Sequence, residues 1–224
     1  VCIRDRYKAQ GDYANAEPLY RQSLEIRKEV LGQQHPDTAD SLNALAGLYH
    51  LQGDFAKAEP LYRQSLEIMN AVLGEQHPNT AGFLNNLALL YHSQGDYAKA
   101  EPLYQQSLDI WKKVLGEQHP YTARGLHNLA GLYEDMGDYA KAEPLFRQAL
   151  DMRKKVLGEE HPAYATSLNS LAGLYYSQSD YAKAEPLLGQ SLEIWKTTLG
   201  EQHPHTAICR NNLAGLYKSQ GDYA

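Results

Sequence analysis

An all-α solenoid of antiparallel helix pairs is the fold class this sequence predicts, and three observations carry the prediction. The stretch GDFAKAEPLYRQSLEI at Gly53 returns as GDYAKAEPLYQQSLDI at Gly95 and GDYAKAEPLFRQALDM at Gly137, with weaker copies from Gly11 and Ser179, a step of 42 residues each time. Within each period, apolar residues recur at helical spacing in two separate blocks. The blocks are punctuated by Gly-Asp on one side and by a Gly-to-Pro linker on the other. A fixed period along a chain means stacked copies of one supersecondary unit, each touching only its neighbours. The search for function therefore moves from an active site to a repeated surface.

The elements follow in order. A partial first helix is expected near Cys2 to Gln10, and five helices of one kind, B, then alternate with five of the other, A. In the first full A helix, from Pro36, the residues Ala39, Leu42, Leu45, Ala46 and Tyr49 form one apolar stripe. Gly53 suits the left-handed conformation just past a helix end, and Asp54 follows as an N-cap for helix B. Helix B runs through FAKAEPLYRQSLEIMNAVL, with Ala58, Leu61, Tyr62, Leu66 and Val72 or Leu73 inward and Glu59 to Arg63 as an external ion pair. Gly74 ends it, and EQHP leads to Pro78, whose missing N–H costs nothing in the first turn of the next A helix. Alanines at 46, 88, 130, 172 and 214 on A, and at 16, 58, 100, 142 and 184 on B, mark close helix contacts. Pro18, Pro60, Pro102, Pro144 and Pro186 lie inside helix B, so the sequence predicts either a bend or a separate short 3₁₀ first turn. The chain divides into units 11–52, 53–94, 95–136, 137–178 and 179–220, with partial units 1–10 and 221–224, and so reads as one array cut from a longer one.

Composition narrows the partner. The formal net charge is −6, which argues against a nucleic-acid groove, since phosphate binding needs clustered Lys and Arg. No apolar run approaches the roughly 20 residues of a membrane span. Cys2 and Cys209 stand at opposite ends and read as two reduced thiols, and no secretory signal opens the chain, so a cytoplasmic setting is expected.

Leu42, Leu45, Ala46, Tyr49, Ala58, Tyr62 and Ser65 fall where tetratricopeptide repeats keep their large, small and aromatic signature residues. With LNNLA at 84–88, AEPLY at 100–104 and LGEQHP at 115–120, the chain resembles the 42-residue version found in kinesin light chains and many bacterial relatives, and a bacterial source is expected. The resemblance covers the whole chain. It implies a right-handed superhelix with the A helices lining the concave side.

If the A helices face a groove, Asp40, Asn43, Gly47 and His50 share the ligand-reading face of the first of them. The same slot carried forward gives Asn43, Asn85, His127, Asn169 and Asn211. Amides both donate and accept, so such a ladder can clamp an extended peptide, as the resemblance also implies; alternatively it ties neighbouring A helices together. One turn on lie Gly47, Leu89, Gly131, Gly173 and Gly215, where glycine in mid-helix costs about 1 kcal/mol and either leaves room for a ligand or allows tight packing. Leu89 would be an apolar anchor there. The outermost slot reads Lys8, His50, His92, Glu134, Tyr176 and Lys218, and its variation is where specificity could reside. Charges on the A helices are few and mixed, Arg124 and Lys218 among them, so a grip on acidic peptides is not transferred from relatives.

The series His35, His77, His119, His161 and His203 is too widely spaced to share one metal, since successive linkers lie about 10 Å apart, and each histidine reads as a cap at the start of helix A or as a filler of the linker; no metal or cofactor is expected. No phosphate loop or nucleophile elbow is present, so the chain is not expected to be an enzyme. Trp111 and Trp195 either mark a second, convex contact surface or cover the helix stem. The sequence thus predicts a protein-interaction scaffold that holds a peptide or partner domain on its A helices. A second reading is a structural or sensory arm of a larger signalling protein, which relays state to a missing enzymatic domain or stacks head to tail through ends exposing Leu213, Leu216 and Tyr217.

Overall fold

The computed structural model describes residues 13–221. Among them the B helices are α1 (Tyr13–Leu31), α3 (Phe55–Leu73), α5 (Tyr97–Leu115), α7 (Tyr139–Leu157) and α9 (Tyr181–Leu199). The A helices are α2 (Pro36–Leu51), α4 (Pro78–Ser93), α6 (Pro120–Asp135), α8 (Pro162–Ser177) and α10 (Pro204–Gln220), and no strand occurs among the described residues. The partial helix expected near Cys2, and Lys8, lie outside them. Contacts divide the chain into two units, Val1–Val114 and Leu115–Ala224. In the first, α1 to α4 pack as successive neighbours and α2 also touches α4. In the second, α6 to α10 do the same, with α6 against α8 and α8 against α10. Each unit is thus a row of helix pairs whose A helices stand side by side.

The punctuation of the sequence works as short-range chemistry predicts. Asp54 N donates to Tyr49 O at 2.9 Å, ending α2, while Asp54 Oδ1 accepts from Lys57 N at 3.2 Å, starting α3. One residue closes one helix and opens the next, which keeps the pair tight and antiparallel. The turn requires a left-handed residue just before the aspartate, and Gly53 supplies it with φ +76°. In the last pair that position is Ser179, held at φ +61°, where a Cβ is crowded. Ser179→Gly is therefore expected to raise stability by about 1 kcal/mol, read as a higher denaturation midpoint; an unchanged or lower midpoint would refute the strain.

At the other linker, each histidine before a proline is an N-cap. His35 Nδ1 accepts from Asp37 N at 3.1 Å, and His77, His119, His161 and His203 repeat the bond. Sequence reasoning missed a second lock: Thr38 Oγ1 donates to Gly32 O at 2.8 Å, with equivalents at Thr80, Thr122 and Thr206.

The five prolines do not split helix B. Each B helix is α-helical from its first residue through the proline, so the separate 3₁₀ turn is not formed. Pro18, Pro60, Pro102, Pro144 and Pro186 are all exposed, and so are Ala14, Ala56, Ala98, Ala140 and Ala182. These alanines stand four residues earlier, and their carbonyls are the ones that lose a donor, which water can replace on the solvent side.

The A stripe is buried as expected, with Ala46, Ala88, Ala130 and Ala172 fully so, although Ala214 is exposed. On α3 the buried seam is Ala58, Tyr62, Ser65 and Met69, continued by half-buried Leu73 rather than Val72, which is exposed. Leu61 and Leu66 are only half-buried. Helix rows are further clasped by a polar contact the sequence did not disclose. Tyr91 Oη donates to Glu59 Oε1 at 2.8 Å and accepts from Arg63 Nη2 at 2.5 Å, so the expected Glu59–Arg63 pair at 2.9 Å grips the next A helix. Tyr49 with Glu17 and Arg21, and Tyr175 with Glu143 and Arg147, repeat it.

Trp111 and Trp195 are buried, 0% and 2% exposed, and form no convex surface. Trp111 Nε1 donates to Pro78 O at 2.9 Å, and the Trp195 ring stacks on His205 at 5.2 Å. In the same slot Arg153 is also buried and donates to Ala163 O at 3.1 Å and Ser167 Oγ at 2.7 Å. Long side chains at this position face the neighbouring A helix, because it continues the buried seam four residues after Ser65 and its equivalents.

Candidate functional site: the face of the A helices

The amide slot divides by depth. Asn43 is half-buried and its Oδ1 accepts from Asn86 Nδ2 at 3.0 Å; Asn169 Oδ1 accepts likewise from Asn212 Nδ2 at 3.0 Å. The tie between neighbouring A helices is therefore made, by residues one position beyond the expected ladder. Asn85, expected as a surface amide, is buried, 3% exposed, because α4 turns that side of the helix into its packing. Asn211 stays exposed. Each tying amide keeps unused hydrogen-bonding capacity, since an amide offers two donors and a two-lone-pair acceptor.

His127, the imidazole in that slot, packs edge-on against Phe146 with ring centroids 5.5 Å apart. Its Nδ1 is sealed from solvent without a hydrogen-bond partner, and burial, aided by the field of Arg153, pushes its pKa down to about 3. A neutral, enclosed imidazole of this kind fills the helix interface rather than reading a ligand. Arg124 lies over the Tyr121 ring at 4.8 Å, and burial lowers its pKa. Asp40 is exposed at its edge, yet its carboxyl is pushed up by partial burial and by Asp37. His50 reaches Ser93 Oγ at 2.9 Å, His92 packs on Tyr97 and Tyr104, Leu89 is 40% exposed, and Lys218 is exposed.

The glycines mark open space. At Gly215 an added Cβ would meet nothing within 4 Å, and at Gly173 only Glu134 Oε1 at 3.7 Å, an ordinary contact. Tight packing does not require either of them. Beside them, a cleft of about 310 Å³ opens between α6, α8 and α10, lined among others by Glu134, Asn169, Gly173, Tyr176, Asn211 and Gly215. The structure thus brings Asn169 and Asn211 together with Glu134, which the sequence reading placed in the variable outer slot but not among the site residues. Its signal was there: an acid in a slot held elsewhere by His, Tyr and Lys. Burial, with Asp135 beside it, pushes the Glu134 carboxyl up to about 7.

Among the described residues no three His, Cys, Asp or Glu side chains gather into a metal-binding cluster, and no helix is long and apolar enough to cross a membrane. Cys209 is a buried free thiol; Cys2 lies outside the described residues. Of the end stripe on α10, Leu216 is fully buried and Leu213 half-buried, leaving Tyr217 exposed.

Similar solved structures share this fold. BtubC (BKLC) of P. vanneervenii superposes with a TM-score of 0.74 at 26% identity, over 100% of this chain and 86% of that one. A kinesin light chain-like protein of Podosopora anserina with nearly identical TPR-like repeats gives 0.70 at 30% identity, over 84% and 90%. A point variant of that same protein gives 0.70 at 29%, over 88% and 93%. No curated protein matches the sequence. The tetratricopeptide repeat family profile matches residues 7–71, 48–113, 79–155, 124–196 and 165–224, and with that coverage the chain belongs to the tetratricopeptide repeat family.

Proposed function

We propose that the chain is a non-enzymatic scaffold that binds an extended segment of a protein partner along the A helices of its second unit. Tetratricopeptide repeats in general mediate protein–protein interaction, which is the coarse function this chain shares. One observation carries the finer reading: the cleft between α6, α8 and α10, where Gly173 and Gly215 leave room and the amides of Asn169 and Asn211 converge. An extended backbone alternates donors and acceptors, and amides can answer either. The net charge of −6 favours a protein partner over nucleic acid. A cytoplasmic setting fits a chain whose Cys209 is a free thiol.

The test is capture of partners from a lysate of the source organism by wild type, by Gly215→Leu, which fills the cleft without a clash at Cβ, and by Val156→Ser, at an exposed residue of α7 that does not line the cleft. Partners lost with Gly215→Leu and kept with Val156→Ser support the cleft. Partners kept by Gly215→Leu, with its thermal midpoint unchanged, would refute it.

A further inference from the structure

The Glu134 carboxylate is the odd member of its slot. At the corresponding positions His50 bonds Ser93 Oγ and Tyr176 bonds Ser219 Oγ, each at 2.9 Å and each to a serine 43 residues on. Glu134 has Ser177 at that same separation, yet makes no such bond, and no ion pair or hydrogen bond holds its carboxylate among the described residues. Instead Oε1 points over Gly173, 3.7 Å from where a Cβ would stand, into the cleft. A half-buried acid without a cation costs free energy that a bound cation would recover. Three other half-buried acids on this unit are matched: Asp138 by Lys141, Glu143 by Arg147 and Asp180 by Lys183.

The surroundings complete a receptor for one kind of group. Tyr176 presents a 40% exposed ring on one side of the cleft, a surface for the methylene stem or the charged head of a long basic side chain. Asn211 is exposed, and the Asn169–Asn212 bond leaves the donors of Asn169 free to meet a backbone carbonyl. Among the described residues no Lys or Arg lines the cleft to compete for the carboxylate. We propose that this cleft takes an arginine or lysine side chain of an extended peptide, with Glu134 pairing its charge, Tyr176 covering its stem and the Asn169 and Asn211 amides holding the adjoining backbone. The unpartnered carboxylate is consistent with this role, since its pKa near 7 is what burial without a counter-ion produces. The proposal rests on the peptide-binding reading above and adds the charge of the residue that anchors it.

The experiment uses the 224-residue chain and end-blocked nonapeptides of Ser, Gly and Asn carrying one central Arg, Lys, citrulline or Glu and a neutral dye, read by fluorescence polarisation. Wild type should bind the Arg and Lys peptides about tenfold more tightly than the citrulline peptide, with the Glu peptide weakest. Glu134→Gln, nearly isosteric, should erase the difference between Arg and citrulline. If all four peptides bind alike and Gly215→Leu abolishes them, the cleft binds peptides but the cationic anchor is wrong. If Glu134→Gln keeps the preference for Arg, the anchor is likewise wrong. If no peptide binds wild type, both this inference and the peptide-binding reading fall together.

Discussion

Trp111→Ala is expected to lower stability by about 3–5 kcal/mol. The ring is wholly buried and its Nε1 donates to Pro78 O at 2.9 Å. Removing it opens a cavity between α5 and α4 and takes a second donor from the Pro78 carbonyl, which as the first of α4 also serves the helix's own N–H ladder. Trp111→Phe separates the two terms, because it keeps most of the apolar contact but loses the indole hydrogen bond, at about 1 kcal/mol. Urea denaturation followed by circular dichroism reads both. A loss below about 1 kcal/mol for the alanine variant would mean that the helices collapse onto the hole and that the tryptophan is replaceable filler. Trp195 offers the contrast: it is equally buried, but its Nε1 has no partner. Trp195→Phe should therefore cost less than Trp111→Phe.

The second large effect is pH-dependent and belongs to His127. Its imidazole has a pKa of about 3 in the folded chain, lowered by burial and then by Arg153, against about 6.5 in an unfolded one. The unfolded chain thus takes up a proton below pH 6.5 that the folded chain refuses. Stability contributed by the neutral ring is complete above pH 6.5 and drains away as pH falls toward 3. At pH 4 the full shift would correspond to about 3 kcal/mol; the ring keeps some exposure, which screens the charge, so about 2 kcal/mol is expected. His127→Asn installs the amide found at Asn43, Asn85, Asn169 and Asn211, which does not titrate. Wild type and variant should therefore diverge between pH 7 and pH 4, the variant losing less. Parallel acid denaturation of the two would show that His127 is solvated, and that the slot is open at α6 as it is at α10.

These effects arise at positions of different legibility. His127 was visible as a break in a series of asparagines, and the series suggested a ligand-facing ladder. The structure divides that ladder by depth: Asn85 is buried, Asn43 and Asn169 are spent partly on Asn86 and Asn212, and Asn211 is open. Adjacent residues on a helix are about 100° apart, so a modest rotation decides which of two neighbouring amides meets the next helix. Nothing in the local sequence sets that rotation; the bulk of the side chains between the helices does. The Tyr91–Glu59–Arg63 clasp escaped for the same reason, since the tyrosine stands 28 and 32 residues from its partners.

The sequence by itself determined what depends on neighbours a few residues apart. Its period set the alternation of helix pairs, its Gly-Asp turns and His-Pro linkers set where each helix starts and stops, and its alanine and leucine spacing set the buried stripe of the A helices. These are interactions of short range, repeated often enough to leave no competing reading. Tertiary structure alone decided that the five prolines sit where water can replace a lost donor, that both tryptophans are core, and that Glu134 is left without a partner beside a glycine-floored cleft. Each of those outcomes depends on which groups distant in the chain arrive at the same place, and burial, the quantity that gives a polar group its energy, exists only once they have.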